Sequence, residues 1–134
     1  MAWVKGRILV VDDQANWRDV LRRLLESRGY LVELASNYDE AFEKLQTEVF
    51  HLALIDLRLV DWDPTDEAGM ALLRALTESQ AQVPNCIVVT GYPTASRVRE
   101  AFRDYGVWDF IVKSDFDRQA FLRVVDEAVE DARI

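Results

Sequence analysis

The chain alternates between unbroken apolar runs and amphipathic stretches. Ile8-Leu9-Val10-Val11 runs straight into two adjacent acids, Asp12 and Asp13. An apolar run without alternation predicts a strand buried on both faces, as in the middle of a parallel sheet. Beyond it, Trp17, Val20, Leu21, Leu24 and Leu25 recur at helical spacing, and Gly29 closes that helix. Residues 30–35 read as a second strand. Asn37 predicts the cap of a second helix, with Glu40 in the capping-box position and Ala41, Phe42 and Leu45 facing inward. A third strand, residues 51–55, ends on Asp56. Residues 57–68 form an acidic loop, followed by a helix through Met70, Leu73 and Leu76. A fourth strand, residues 86–89, ends on Thr90. Ala95, Val98, Phe102 and Tyr105 predict the inner face of the next helix, stopped by Gly106. A fifth strand, residues 108–112, ends on Lys113. Asp117 is placed to cap the last helix, flanked by Phe116 and Phe121 at hydrophobic-staple positions; Phe121, Val124, Val125 and Ala128 form its inner face.

Strand and helix thus alternate five times. This order predicts an α/β fold: a doubly wound, five-stranded parallel sheet with right-handed crossovers and helices on both faces. No repeat, low-complexity tract or linker interrupts it, and 134 residues suit one domain spanning 1–134.

Composition narrows the setting. Half of the residues are hydrophobic, which excludes a disordered chain. No apolar run approaches the roughly 20 residues of a membrane span. Residues 1–7 lack the apolar core of a signal peptide, so a cytoplasmic protein with no membrane partner is expected. The net charge of -8 argues against a nucleic-acid surface, which needs a basic stripe. Cys86 is the single cysteine, so no internal disulfide forms; its place in an apolar run predicts burial. His51 is also alone, which leaves a zinc site without support and assigns it a structural role at a strand edge.

The strand ends carry the chemistry. In a doubly wound sheet, Asp12, Asp13, Asp56, Thr90 and Lys113 gather along one edge, where such sheets place their ligand sites. Two neighbouring buried carboxylates are costly unless something positive lies beside them. Three carboxylates suit Mg²⁺, a hard cation bound at roughly 2.0–2.1 Å with several waters retained. Lys113 offsets part of the remaining charge, and Thr90 offers a donor to an arriving oxygen. Asp56, central and on a separate strand from the pair, suits a nucleophile toward phosphorus.

These five residues, each at its strand end, resemble the receiver domains of two-component response regulators over nearly the whole chain, from Arg7 to about Asp131. The resemblance implies the flavodoxin-like strand order 2-1-3-4-5. It implies Asp56 as the phosphoryl acceptor, and Mg²⁺ held by Asp12, Asp13, Asp56 and the main-chain carbonyl of Arg58. It further implies that Thr90 and Lys113 contact the phosphoryl group, that Gly91 leaves the site open, and that Phe110 is the switch aromatic. Thr90 and Phe110 would then remodel the face made by helix four, strand five and helix five. The implied partners are a histidine kinase or phosphotransfer protein upstream and an output protein or domain downstream. The implied activity is self-phosphorylation and self-dephosphorylation, not turnover of a separate substrate.

Two departures from the family pattern stand out. Ser114 follows Lys113 where relatives usually carry proline in a cis peptide; a cis bond before a non-proline residue is costly, so the sequence leaves cis and trans both open, and a trans bond would displace the lysine. Gly69 lies 13 residues after Asp56, where about eight is usual. The extra segment, residues 62–66, lies beside the site. Pro64 keeps the third helix from starting before about Thr65. Trp62 is expected to pack on the site rim or mark a partner contact, and the segment to act as a gate on small donors and water. Simpler roles are open for several residues: helix capping for Asp13, packing for Trp17 and Trp108, and a solvated helix face for Arg97, Arg99 and Arg103. Three other functions compete: a degenerate receiver that takes no phosphate, a phosphatase using Asp61-Trp62-Asp63, and a flavin-binding protein. The last lacks the Ser/Thr/Gly-rich loop it needs after strand one.

Overall fold

The computed structural model describes residues 5–79 and 82–132. The opening residues 1–4, part of the stretch read above for a signal peptide, lie outside them. The elements run β1 (Arg7–Val11), α1 (Ala15–Ser27), β2 (Leu31–Ala35), α2 (Tyr38–Thr47), β3 (Leu52–Ile55), α3 (Ala68–Thr77), β4 (Asn85–Thr90), α4 (Ala95–Tyr105), β5 (Asp109–Val112) and α5 (Arg118–Asp131). A single 3-10 turn, Lys113–Asp115, joins β5 to the segment before α5. The five strands form one parallel sheet in the order β2-β1-β3-β4-β5. The expected α/β, flavodoxin-like architecture is therefore present.

The pleat explains the layers. Successive side chains of a strand point to opposite faces. Leu9, Val11, Ala53, Ile55 and Val88 face a core closed by Ala41 and Leu45 of α2, Met70 and Leu73 of α3, and Ala101 of α4. Ile8, Val10, Leu52, Leu54 and Ile87 face the opposite core, closed by Leu21 and Leu25 of α1 and by Phe121 and Val125 of α5. Residues 8–11 and 52–55 are buried throughout, as their unbroken apolar runs require.

The predicted caps form. The Asn37 side chain accepts the Glu40 N–H at 2.9 Å. That of Asp117 accepts the N–H groups of Gln119 and Ala120, with Phe116 and Phe121 in ring contact at 5.1 Å. Gly106 ends α4 in the left-handed conformation at φ 60°, open to glycine at little cost. His51 has the expected structural role, its Nδ1 accepting the Arg7 N–H at 3.1 Å. Cys86 is buried, and burial pushes its thiol pKa up to about 12, so it is inert.

The helix phases differ from the sequence reading in two places. On α4 the buried residue is Ala101, flanked by half-buried Val98 and Tyr105, while Ala95 and Phe102 face outward. Phe102 is 43% exposed. The small Ala101 is the residue α4 turns into the core on that side of the sheet. On α1, Leu21 and Leu25 are buried but Val20 is exposed. Arg97 also departs from the solvated face assigned to it: its side chain is largely covered and pairs with Glu67 at 3.3 Å.

α3 starts at Ala68, consistent with the limit set by Pro64. Its second residue, Gly69, lies against the chain leaving β3. A Cβ there would come within 2.1 Å of the Asp56 carbonyl oxygen and 2.5 Å of the Leu57 Cα. The Gly69 N–H donates to the Leu57 carbonyl at 3.0 Å. Backbone cannot yield as a side-chain tip can. Gly69→Ala is therefore expected to cost about 3 kcal/mol of unfolding free energy. Urea denaturation measures it, and a loss below about 0.5 kcal/mol would show that the approach is not tight.

Candidate functional site

The carboxyl ends of β1, β3, β4 and β5 bring the predicted residues together. Continuing the pleat past each strand end puts Asp12, Asp56 and Lys113 on the side of α1 and α5. Lys113 reaches both acids: its Nζ lies 2.8 Å from Asp12 Oδ2 and 2.8 Å from Asp56 Oδ2, and donates to Gln14 Oε1 at 3.0 Å. The ammonium also lies 5.1 Å from the centre of the Trp17 ring. No peptide bond among the described residues is cis, so Lys113-Ser114 is trans. The lysine nonetheless reaches both acids. The 3-10 turn that begins at Lys113 redirects the chain while the long stem carries the ammonium into the cluster.

Asp12, Asp56 and Thr90 are the buried polar residues of the described chain. Asp12 Oδ1 accepts the Gln14 N–H at 2.9 Å. Burial pushes the Asp12 carboxyl up to about 6, against the Lys113 hydrogen bond and with the Asp56 charge. Burial likewise raises Asp56, opposed by Lys113, by Thr90 and by the Arg58 N–H. Burial pulls Lys113 down, but its bonds to the two acids outweigh this and raise it. Thr90 Oγ1 also accepts the Tyr92 N–H at 3.3 Å.

Asp13 does not cap α1. One of its oxygens, Oδ2, accepts the Asp61 N–H at 2.7 Å, and the other, Oδ1, is buried without a partner. Asp12, Asp13 and Asp56 each offer an oxygen within 4.8 Å of the others. Three hard donors at this spacing, one of them unsatisfied, fit a divalent cation with oxygen preference. Phe110 is half-buried against the core on the α4 side of the sheet.

Several participants carry no periodic or motif signal. Gln14 and Trp17 hold Lys113 from α1, and Arg18 donates to the Asp12 carbonyl at 2.7 Å. The Arg58 guanidinium lies over the Tyr92 ring, 3.5 Å from its centre, and donates to the Asp61 carbonyl. Trp17 reads from its helical spacing as a packing residue only, Gln14 adjoins the acid pair without a signal of its own, and nothing in the sequence pairs Arg58 with Tyr92. Trp62 does not pack on the rim as one reading had it, being 83% exposed.

Comparison with known proteins assigns the class of this doubly wound domain and its acid cluster. The family model of the response regulator receiver domain matches residues 8–126, and the chain belongs to that family. It is 34% identical over 112 residues to the transcriptional regulatory protein ZraR of Klebsiella oxytoca, covering 83% of this chain and 24% of ZraR. It is 36% identical over 118 residues to the transcriptional regulatory protein ResD of Bacillus subtilis, covering 88% of this chain and 46% of ResD. The chain thus spans about a quarter to under half of these relatives. Among solved structures, a CheY-like response regulator receiver domain from Methanospirillum hungatei superposes with a TM-score of 0.81 at 30% identity, over 94% of both chains. The protein is a receiver domain of two-component signalling. No helix among the described residues is long and apolar enough to cross a membrane.

The raised carboxyls carry a pH signature. The folded state holds a proton on Asp12 up to about pH 6, whereas the unfolded chain releases it near 3.8. Stability from this group is complete below about pH 4 and lost as pH rises to about 6. Asp12→Asn is expected to gain stability over wild type across that window, by up to about 3 kcal/mol, and then level off. Urea denaturation in a chelator from pH 4 to 7 tests this. A difference that does not vary with pH would remove Asp12 as the group responsible.

Proposed function

We propose that Asp56 accepts a phosphoryl group from a histidine kinase or phosphotransfer protein, and that the folded domain turns this event into a change of surface. The observation that carries the reading is the shared ammonium: Lys113 lies 2.8 Å from both Asp12 and Asp56, beside an Asp13 oxygen without a partner. The Asp56 oxygen–phosphorus bond forms as the phosphorus–nitrogen bond of the donor phosphohistidine breaks, and the electron pair leaves with the imidazole. Catalysis of such a transfer is mainly positioning and neutralisation of charge. Asp12, Asp13, Asp56 and the Arg58 main-chain carbonyl would hold Mg²⁺, which supplies that neutralisation when bound. Lys113 holds Asp56 Oδ2, and the Thr90 hydroxyl moves to a phosphoryl oxygen.

The added charge of about -1.5 to -2 gives a local cause for the switch. Thr90 follows the phosphoryl group, and half-buried Phe110 moves into the space it leaves. The face of α4, β5 and α5 then changes for a downstream output protein or domain. Residues 1–134 act in this reading as one receiver domain in the cytoplasm, without nucleic acid or membrane as direct partner. Its chemistry is confined to its own phosphorylation and dephosphorylation.

Intact mass after incubation with Mg²⁺ and a small acyl phosphate is expected to show one added phosphate on wild type and none on Asp56→Asn. An unmodified wild type would favour a degenerate receiver, and a modified mutant would move the acceptor elsewhere. The metal has its own test. Relief of repulsion among three carboxylates stabilises the fold by mass action, so millimolar Mg²⁺ should raise the melting temperature. Asp13→Ala should abolish most of that rise; an equal rise in both proteins would take Asp13 out of the metal shell.

A further inference from the structure

Asp61, in the extended segment between β3 and α3, is joined to three parts of the site at once. Its N–H donates to Asp13 Oδ2 at 2.7 Å. Its carbonyl accepts from the Arg58 guanidinium at 3.3 Å, and its Oδ2 accepts from the Tyr92 hydroxyl at 3.2 Å. Arg58 and Tyr92 in turn stack on one another.

The segment is well braced. The Asp66 carboxylate accepts the N–H groups of Leu59, Val60 and Ala68 at 2.6, 3.3 and 3.4 Å. The Asp63 carboxylate accepts both the N–H and the hydroxyl of Thr65, and Pro64 between them has a fixed φ. Glu67 pairs with Arg97 at the start of α4. A segment held at this many points presents the Asp61 N–H in one place and direction.

We propose that Asp61 is a positioning residue for the metal site: its backbone N–H fixes the Asp13 carboxylate so that Oδ1 is left to a divalent cation. This rests on the Mg²⁺ reading given above. A carboxylate beyond a strand end has two rotatable bonds and, without a partner, turns between its neighbours. One oxygen tied by an N–H leaves the other directed and unsatisfied, which is the arrangement observed at Asp13. Groups that orient a metal ligand from outside the coordination shell alter affinity by about 10–100-fold when removed. The extra residues 62–66 thereby bear on the site through Asp61, whose backbone Asp66 helps to hold.

Calorimetric titration with MgCl₂ tests this. Asp61→Ala keeps the N–H and loses the side chain, whereas Asp61→Pro loses both. Asp61→Pro is expected to bind Mg²⁺ about tenfold more weakly than Asp61→Ala. Asp66→Asn loosens the segment from a distance and is expected to weaken binding more than Asp115→Asn, which removes the same charge from an exposed side chain outside the segment. Should Asp61→Pro fail to fold by circular dichroism, the Asp66 and Asp115 pair decides alone. Equal affinities within both pairs would overturn the proposal. A wild type that binds no Mg²⁺ would remove the metal reading, and this inference with it.

Discussion

A single ammonium between two buried carboxylates is the contact on which the site depends. Asp12 and Asp56 sit at the ends of adjacent strands, nearly out of water, where two like charges repel strongly. Lys113 comes from β5, two strands away from β3, and its stem has to pass the end of β4. Gly91 stands at that point, and a Cβ there would meet the Lys113 Cδ at an ordinary contact distance of 3.8 Å. The reach requires a long flexible side chain. Arginine would bring a planar fork where a point charge is needed between two oxygens. Gln14 and Trp17, one turn apart on the α1 side, keep the ammonium from swinging out. Sheet order, the small residue after Thr90 and the register of α1 all converge on this one position.

Much of this was legible in the sequence because period and position report strands and their ends well. The apolar runs ending on Asp12, Asp56, Thr90 and Lys113 identified the edge where these residues meet. Asn37 and Asp117 were readable as caps because capping needs one side chain at one position. The rotation of α4 was not readable. Phe102 and Ala101 are adjacent, and a large apolar residue outweighs a small one in any pattern, although the small one is the residue that is buried. The segment around Asp61 was equally opaque. Its shape comes from carboxylates accepting backbone N–H groups, which follow no period. The size of Trp62 suggested burial, but a backbone braced by Asp63 and Asp66 turns it outward.

The arrangement also shows how one edge of a sheet serves two tasks. Asp12, Asp56 and Lys113 share the α1 and α5 side, while Phe110 packs on the α4 side. Thr90 stands between them, buried on the strand next to both. In the reading proposed above, a change at the carboxylates would reach the opposite layer through this one hydroxyl residue.

Gly69 gives the inserted segment a further meaning. Its N–H and the Leu57 carbonyl, 3.0 Å apart, pin the two ends of the excursion to each other. Everything between them is a loop hung from a closed neck. Closing a longer loop costs little more than closing a shorter one, since the entropy grows only with the logarithm of length. The neck therefore uncouples the length of the excursion from the placement of β3 and α3, provided the glycine is kept, while Arg58 and Asp61 within it stay tied to the carboxylates of the site.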